Sequence, residues 1–143
     1  MNEHGYNAEL VKRARADHRF KRAWKINDDY QSGVPDMYFL TEIGIGQFEG
    51  KWLASLPKRE TTLIKPKWNG DNQPLWLKDL QQCGIACGVI TGWMDGRQSV
   101  GMIQTDLVDE IELGVTRLWA QGNALSYREM LDAIYEEIKK HAK

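Results

Sequence analysis

Two short segments of the chain carry side chains that can do chemistry together. Asp36 follows Pro35, and Glu49 and Lys51 flank a glycine a short distance further on. Two carboxylates brought close together repel each other unless a cation joins them, and hard oxygen ligands of this kind suit Mg²⁺. A lysine beside such an acid can orient or help deprotonate a water and balance charge on a phosphate. These residue types favour metal-dependent hydrolysis of a phosphodiester.

A β-hairpin would bring these residues together. Segments 37–43 and 47–53 are rich in aromatic and β-branched residues, with glycines between them. Because alternate side chains of a strand share a face, Glu49 and Lys51 should project together, and the hairpin should place Asp36 beside Glu49. The alternative is a proline-started turn at Asp36 and a Glu49–Lys51 pair that faces solvent.

Length and composition predict a single domain over residues 1–143, with a core at about 8–104 and an extension at 105–143. A hydrophobic fraction of 42% and a charged fraction of 27% are typical of a globular protein. No apolar run approaches the roughly 18 to 20 residues that cross a membrane, and the N-terminal segment lacks the apolar region of a signal peptide. We therefore expect no membrane association and a cytoplasmic location, which would be the host cytoplasm for a phage-encoded protein.

Basic residues are clustered although the net charge is only −1. One group lies between residues 12 and 25, and a second lies in the irregular segment 56–70. Such groups can meet a nucleic-acid backbone, while a solvated helix face and an ordinary surface loop are the alternatives. The residues expected to bind nucleic acid are Arg15, Arg19, Lys25, Lys58, Arg59, Lys65 and Lys67.

Apolar spacing and capping residues predict the remaining elements. Ser126 and Glu129 have the spacing of a capping box, and a strand, a helix and a strand in order imply a crossover that packs one helix on the sheet. Residues 106–118 are either a short helix or irregular. The predicted elements are a helix at 8–20 capped by Asn7, a strand at 23–26, a polar turn at 27–33, a helix at 73–82 capped by Asp71 or Asn72, strands at 85–93 and 99–104, and a C-terminal helix to 143.

The order of these elements and four stretches of sequence resemble the VRR-NUC branch of the PD-(D/E)XK nucleases, especially its small stand-alone phage and bacterial members. The resemblance implies an α/β fold with a restriction-endonuclease-like core of a helix, a three-stranded meander, a helix and a strand, followed by a C-terminal helical extension. The four stretches are Ala8-Glu9-Leu10, Trp24-Lys25-Ile26 with Tyr30 to Asp36, Glu49-Gly50-Lys51, and Gln73-Pro74-Leu75-Trp76-Leu77 with Gly84 and 85–90.

The resemblance also implies an activity and a site. Its members depend on Mg²⁺ or Mn²⁺ and cleave DNA, and stand-alone members are often homodimers that act on branched DNA such as Holliday junctions. By position, the metal ligands would be Glu9, Asp36, Glu49 and the carbonyl oxygen of Gly50. The catalytic residues would be Asp36, Glu49, Lys51 and Gln73, with Lys51 orienting the water and Gln73 hydrogen-bonding near the water or the phosphate.

Two features depart from the family pattern, and other functions remain open. Gly50 occupies a position that more often holds an apolar residue, and segment 57–72 is long and basic. The same site would also serve a nickase or an exonuclease. A catalytically silent nucleic-acid-binding module and a structural or regulatory partner protein are the alternatives from other classes. Trp68, in the basic segment, is a candidate for stacking on an unpaired base.

Overall fold

The computed structural model describes residues 1–26 and 33–142 of the chain. Apart from Gly33, the predicted turn at 27–33 lies outside the described residues, as does Lys143. The helices and strands are α1 (Glu3–Arg15), β1 (Phe20–Lys25), β2 (Met37–Thr41), β3 (Ile45–Trp52), α2 (Asn72–Gln82), β4 (Ala86–Asp95), β5 (Gln98–Gln104), α3 (Val108–Leu113), α4 (Arg117–Gly122) and α5 (Tyr127–Lys140).

The five strands form one mixed sheet in the order β1-β2-β3-β4-β5. The first three strands make an antiparallel meander. The chain then passes through α2 and returns as β4, which pairs with β3 in parallel, and β5 pairs antiparallel with β4. The predicted α/β class and the crossover after β3 are confirmed. None of the described helices combines the length and apolar composition that spanning a bilayer requires.

Helices cover both faces of this sheet. On one face, α1 and α5 pack against the sheet in an apolar core that contains Tyr6, Phe48, Ile90 and Ile134. On the other face, α2 and α3 pack over a smaller cluster around Val89. Residues of the predicted extension at 105–143 therefore contribute to both layers.

Helix α1 begins and ends about five residues earlier than predicted. Its N-cap is Asn2, whose side chain accepts a hydrogen bond from the Gly5 amide at 2.8 Å. Asn2 and Asn7 are both residue types that cap helices. Asn2 is the N-cap because Tyr6 and Asn7 are buried residues within the helix. The predicted cap at Asn7 is wrong for this reason.

Glycines let α1 lie close to the sheet. A Cβ atom at Gly50 would overlap the side-chain amide of Asn7, and one at Gly101 would overlap the hydroxyl of Tyr6. Strand glycines often mark such a close backbone approach. The unusual glycine between Glu49 and Lys51 therefore has a structural reason, since the helix occupies the space of a side chain there.

The local predictions further along the chain agree with the structure. Helix α2 has its predicted N-cap at Asp71, although no side-chain hydrogen bond caps it. In the predicted capping box of α5, the Glu129 amide donates to Ser126 Oγ at 3.2 Å and the Ser126 amide donates to Glu129 Oε1 at 3.1 Å. The ambiguous segment 106–118 contains α3 and the start of α4.

Candidate active site

The hairpin of β2 and β3 brings Asp36 to the Glu49-Gly50-Lys51 segment. Met37 pairs with Phe48, so Asp36 comes opposite Glu49 where β2 begins. Oδ2 of Asp36 accepts a hydrogen bond from the Gly50 amide at 3.0 Å. Because the N–H and C=O of one strand residue point to the same side, the Gly50 carbonyl also faces the edge where Asp36 lies.

Glu49 and Lys51 share a face of β3 and are joined by Gln73 of α2. The Lys51 Nζ atom donates to Gln73 Oε1 at 2.9 Å, and Gln73 Nε2 donates to Glu49 Oε1 at 3.0 Å. The Lys51 Nζ atom is also 3.7 Å from Glu49 Oε1. All three residues are buried, Glu49 to within 2% exposure. The alternative of a solvent-facing Glu49–Lys51 pair is therefore wrong.

Gln73 also connects this group to the basic segment. Its Oε1 atom accepts a second hydrogen bond from the Asn69 amide at 2.9 Å. Trp68, the preceding residue, places its ring centroid 5.6 Å from Lys51 Nζ, within the range of a cation–π contact. The ammonium of Lys51 is thus held by a carboxylate, an amide oxygen and an aromatic ring. Such fixed partners leave a lysine little freedom to change orientation.

The Glu49 carboxylate is costly to ionise where it lies. Burial is the main cause that raises its pKa, and the nearby negative charge of Asp36 raises it further, while Lys51 opposes both effects. A side-chain hydrogen bond between Glu49 and Asp36 raises this pKa further, so the two carboxyl groups lie close enough to share a proton. An added cation beside Asp36 and Glu49 would remove this cost by pairing with both charges.

Glu3 is a third acid of this group that the sequence reasoning missed. Burial and the charge of Asp36 raise the Glu3 pKa, while Lys51 and Lys25 lower it. The Glu3 side chain also lines the same cleft as Lys51. Knowing that Asn2 caps α1 would have pointed to Glu3, because it lies one helical turn before the buried Asn7 and on the same face.

The structure places Glu9 elsewhere, and the expectation that it completes the metal site is corrected. Glu9 lies two residues beyond Asn7, which corresponds to a rotation of about 200° around the helix. Its Oε1 atom instead pairs with Arg13 Nε at 3.0 Å, one turn along the exposed side of α1. The assignment of Glu9 came from the family resemblance by position in the sequence, which does not specify the side of α1 that faces the sheet.

The predicted nucleic-acid-binding residues divide into separate groups. Lys65 and Lys67 line the cleft beside Lys51. Lys25 lies at the same end of the sheet, where its Nζ atom contacts the His4 ring at the start of α1. Lys58 and Arg59 are exposed in the loop, where the Lys58 carbonyl accepts a hydrogen bond from Arg117.

The other two predicted residues lie at the far end of the sheet. Arg15 donates to the Ala23 carbonyl at 2.7 Å and so connects α1 to β1. Arg19 Nη2 is 2.8 Å from Asp17 Oδ2 and 2.9 Å from Asp132 Oδ1. Because α1 extends about 18 Å from Glu3 to Arg15, these arginines are well separated from the Asp36 end of the sheet.

A cleft of about 450 Å³ opens beside this site. Its walls come from β3, the basic segment 64–69, β4 and β5, and Glu3 closes one side. Polar and apolar side chains both contribute to the lining. A substrate group can therefore reach Lys51 without displacing the buried network around Gln73.

The donor set fits a hard divalent cation with few protein ligands. In residues 1–26 and 33–142, no group of three or more His, Cys, Asp or Glu side chains forms a metal site by itself. Mg²⁺ usually binds through one or two carboxylates and keeps several waters or substrate oxygens. The adjacent carboxyl groups of Asp36 and Glu49 and the Gly50 carbonyl at the same edge meet that requirement.

Comparison with known proteins does not assign the chain to a family. No protein-family model matches the sequence, and no curated protein matches it significantly. Its function is therefore argued from the site and its surroundings.

Proposed function

We propose that this protein is a Mg²⁺- or Mn²⁺-dependent nuclease of the PD-(D/E)XK type that hydrolyses phosphodiester bonds in DNA. The observation that carries the proposal is the buried carboxyl of Glu49, which lies against the Asp36 carboxyl and 3.7 Å from Lys51 Nζ. Burying Glu49 beside a second acid costs free energy that a purely structural role would not require. A cation and a phosphate would supply the missing partners.

The residues have separate tasks in this reaction. When bound, Mg²⁺ supplies Lewis-acid activation of a phosphate oxygen and of a water, and Asp36, Glu49 and the Gly50 carbonyl would hold it. Lys51 would orient the attacking water and face the negative charge that develops on the phosphate. Gln73 would hold Lys51 in place, because it accepts the ammonium hydrogen bond while donating to Glu49. Glu3 would add negative charge beside the metal ligands.

The surroundings favour DNA as the substrate. Lys65 and Lys67 line the cleft beside Lys51, where they can contact phosphates on either side of the cleaved bond. Lys25 lies at the same end of the sheet. The order of α1, the three-stranded meander, α2 and β4 supports the restriction-endonuclease-like core that the resemblance implies.

A homodimer that cuts branched DNA such as a Holliday junction is part of the proposal. Exposed apolar side chains on and beside α3 and α4 support self-association, since they offer a surface that water solvates poorly. Two sites in one dimer could cut opposite strands of a junction. Sedimentation equilibrium tests the dimer, and a monomer at micromolar concentration would argue against it. The exposed residues are Leu107, Leu113, Leu118 and Trp119.

The test of the activity is a gel assay of labelled duplex, single-stranded, flapped and four-way-junction DNA with Mg²⁺, Mn²⁺ or EDTA. We expect metal-dependent cleavage that Asp36→Asn removes, whereas Asp95→Asn, an exposed acid at the end of β4, cuts like the wild type. Cleavage that Asp36→Asn leaves unchanged, or no cleavage with either metal, would overturn the proposal. Tight binding in EDTA without any cleavage would support a silent binding module instead.

A further inference from the structure

Two polar side chains outside the proposed catalytic group line the same cleft. Thr91 on β4 and Gln104 on β5 are only 4% and 6% exposed, and both line the cleft. Neither side chain makes a hydrogen bond to any residue in the described part of the chain. Neither residue contributes a buried polar atom without a partner, so the hydroxyl and the amide keep contact with the cleft. A ligand in the cleft could therefore hydrogen-bond both groups in place of water.

These residues continue the row of the active site across the sheet. Thr91 is the parallel partner of Lys51, so the two side chains lie on one face about one strand spacing, roughly 4.8 Å, apart. Gln104 pairs with Val89, which in turn pairs with Glu49. The cleft therefore extends from the proposed catalytic residues over β4 to β5. A group bound over β4 and β5 is therefore close in space to a group held at Lys51.

The cleft has the size and surface of a site for a flat ring. Its volume of about 450 Å³ lies within the usual range of about 300–1,000 Å³ for small-molecule sites. Apolar side chains form much of its wall, which suits the faces of a ring, while Thr91 and Gln104 suit a hydrogen-bonding edge. Lys65 and Lys67 are placed to pair with a phosphate. The apolar residues are Trp52, Leu53, Ile64 and Met102.

We propose that this cleft binds the base of an unpaired nucleotide next to the phosphate that the protein cuts. The proposal rests on the nuclease function above and names its substrate class: DNA with an unpaired nucleotide at the cleavage point, such as a flap, a bulge or a mismatch. The base turns out of the helix into the cleft, and its edge meets the Thr91 hydroxyl and the Gln104 amide. A fully paired duplex is a poorer substrate.

Binding in EDTA tests the cleft separately from hydrolysis. A labelled duplex carries one unpaired nucleotide, and a second duplex carries an abasic residue at the same position. For the wild type we expect the base to strengthen binding about tenfold, the value of one or two hydrogen bonds and some apolar burial. Combining Thr91→Val with Gln104→Met keeps the side-chain volumes similar and should remove most of that difference. Gln82→Met, an exposed glutamine of α2, is the matched control and should keep it.

Each result of these binding experiments either supports or overturns the base-binding cleft. Equal binding of the base-containing and abasic DNA by the wild type overturns the inference, and so does a base preference that survives in the double variant. Free deoxynucleoside monophosphates are added as competitors, and if they bind as tightly as the DNA, the cleft is a site for free nucleotides and the inference fails. Thermal melting establishes that each variant is folded, and the single variant Thr91→Val provides the same comparison if the double variant is not.

The same DNA molecules with Mg²⁺ separate this inference from the proposed function. Cleavage of paired and unpaired sites at equal rates leaves the nuclease proposal standing and overturns the substrate class. A base preference in EDTA with no cleavage in Mg²⁺ supports the base-binding cleft and overturns the hydrolytic role.

Discussion

Two charged clusters lie at opposite ends of the sheet. Each combines acids with one basic residue, but the pKa values of their acids shift in opposite directions. The Arg19 cluster consists of Asp17, Arg19 and Asp132, and its arginine bonds both acids within 3 Å. The cleft cluster consists of Glu3, Asp36, Glu49 and Lys51. Strand β1 connects the two ends, because Phe20 begins beside the first cluster and Lys25 ends beside the second.

The pKa shifts distinguish an acid whose charge is fully paired from acids whose charges are not. Its hydrogen bonds to Arg19 hold the pKa of Asp17 below its ordinary value. In the cleft cluster the pKa values of Glu3 and Glu49 are raised, since burial and like charge outweigh Lys51. The Arg19 cluster stabilises the fold with the groups it has. A cation beside Asp36 and Glu49 would relieve this repulsion, and strongly raised pKa values of this kind are common at functional sites.

In the comparison of the two clusters, replacing Lys51 should have the largest effect. We expect Lys51→Met to lower the cleavage rate about 100-fold or more, because the ammonium faces charge that develops only during the reaction. Single-turnover cleavage of flapped DNA with Mg²⁺ measures this, with Lys139→Met at the exposed end of α5 as the matched control. A loss below about threefold would remove Lys51 from the mechanism and leave the two clusters alike.

Replacing Arg19 should instead affect stability. We expect Arg19→Met to lower the free energy of unfolding by about 2 kcal/mol, because Asp17 and Asp132 lose a charged hydrogen-bond partner. Urea denaturation measures the change, and Arg22→Met on the exposed side of β1 is the control. Equal stability of the two variants would show that the Arg19 cluster is a surface feature without structural weight.

Glu3 and Glu9 offer a direct comparison of two acids on one helix. We expect Glu3→Gln to weaken Mg²⁺ activation of cleavage about tenfold, as for residues that support a metal site from outside its ligands. Glu9→Gln should have a much smaller effect, since Glu9 pairs with Arg13. Mg²⁺ titrations of the cleavage rate measure both. The reverse order of effects would restore the original assignment of Glu9.

The last prediction concerns the pH dependence of stability in the metal-free protein. Burial and Asp36 raise the pKa of Glu49 from 4.5 to about 9, so the folded state holds this proton more tightly than the unfolded state between those values. The contribution of Glu49 to stability is therefore fully present below about pH 4.5 and falls as the pH rises toward 9. Urea denaturation at pH 5 and pH 8 should show a smaller decrease for Glu49→Gln than for the wild type. The same decrease in both proteins would contradict this prediction.

The parts of the site that follow from local rules were predictable from the sequence. Alternation along β3 placed Glu49 and Lys51 on one face, and the hairpin register placed Asp36 beside them. The Ser126 capping box and the helix that carries Gln73 are likewise read from a few adjacent residues. The spacing of nearby residues was sufficient to predict these parts of the site because a single strand, helix or hairpin determines their geometry.

The remaining parts depend on contacts between distant segments. Asn2 and Asn7 are equally good caps by residue type, and only the packing of Asn7 on Gly50 decides between them. That choice of helix start determines which glutamate reaches the site. Thr91 and Gln104 became candidates only once the pairing of β3, β4 and β5 placed them in one row. A pattern within one strand carries no information about that row.

The contact between Gly50 and Asn7 makes the position of α1 depend on the absence of a Cβ atom at residue 50. Asn7 rests directly on the strand between the two proposed catalytic side chains, and Glu3 lies one turn earlier on the same helix. Substituting alanine at Gly50 would push α1 outward and move Glu3 away from Asp36 at the same time, without altering any side chain that faces the cleft. The distance between α1 and β3 thus determines the position of the Glu3 carboxylate. The size of residue 50, on the opposite face of the sheet, sets that distance.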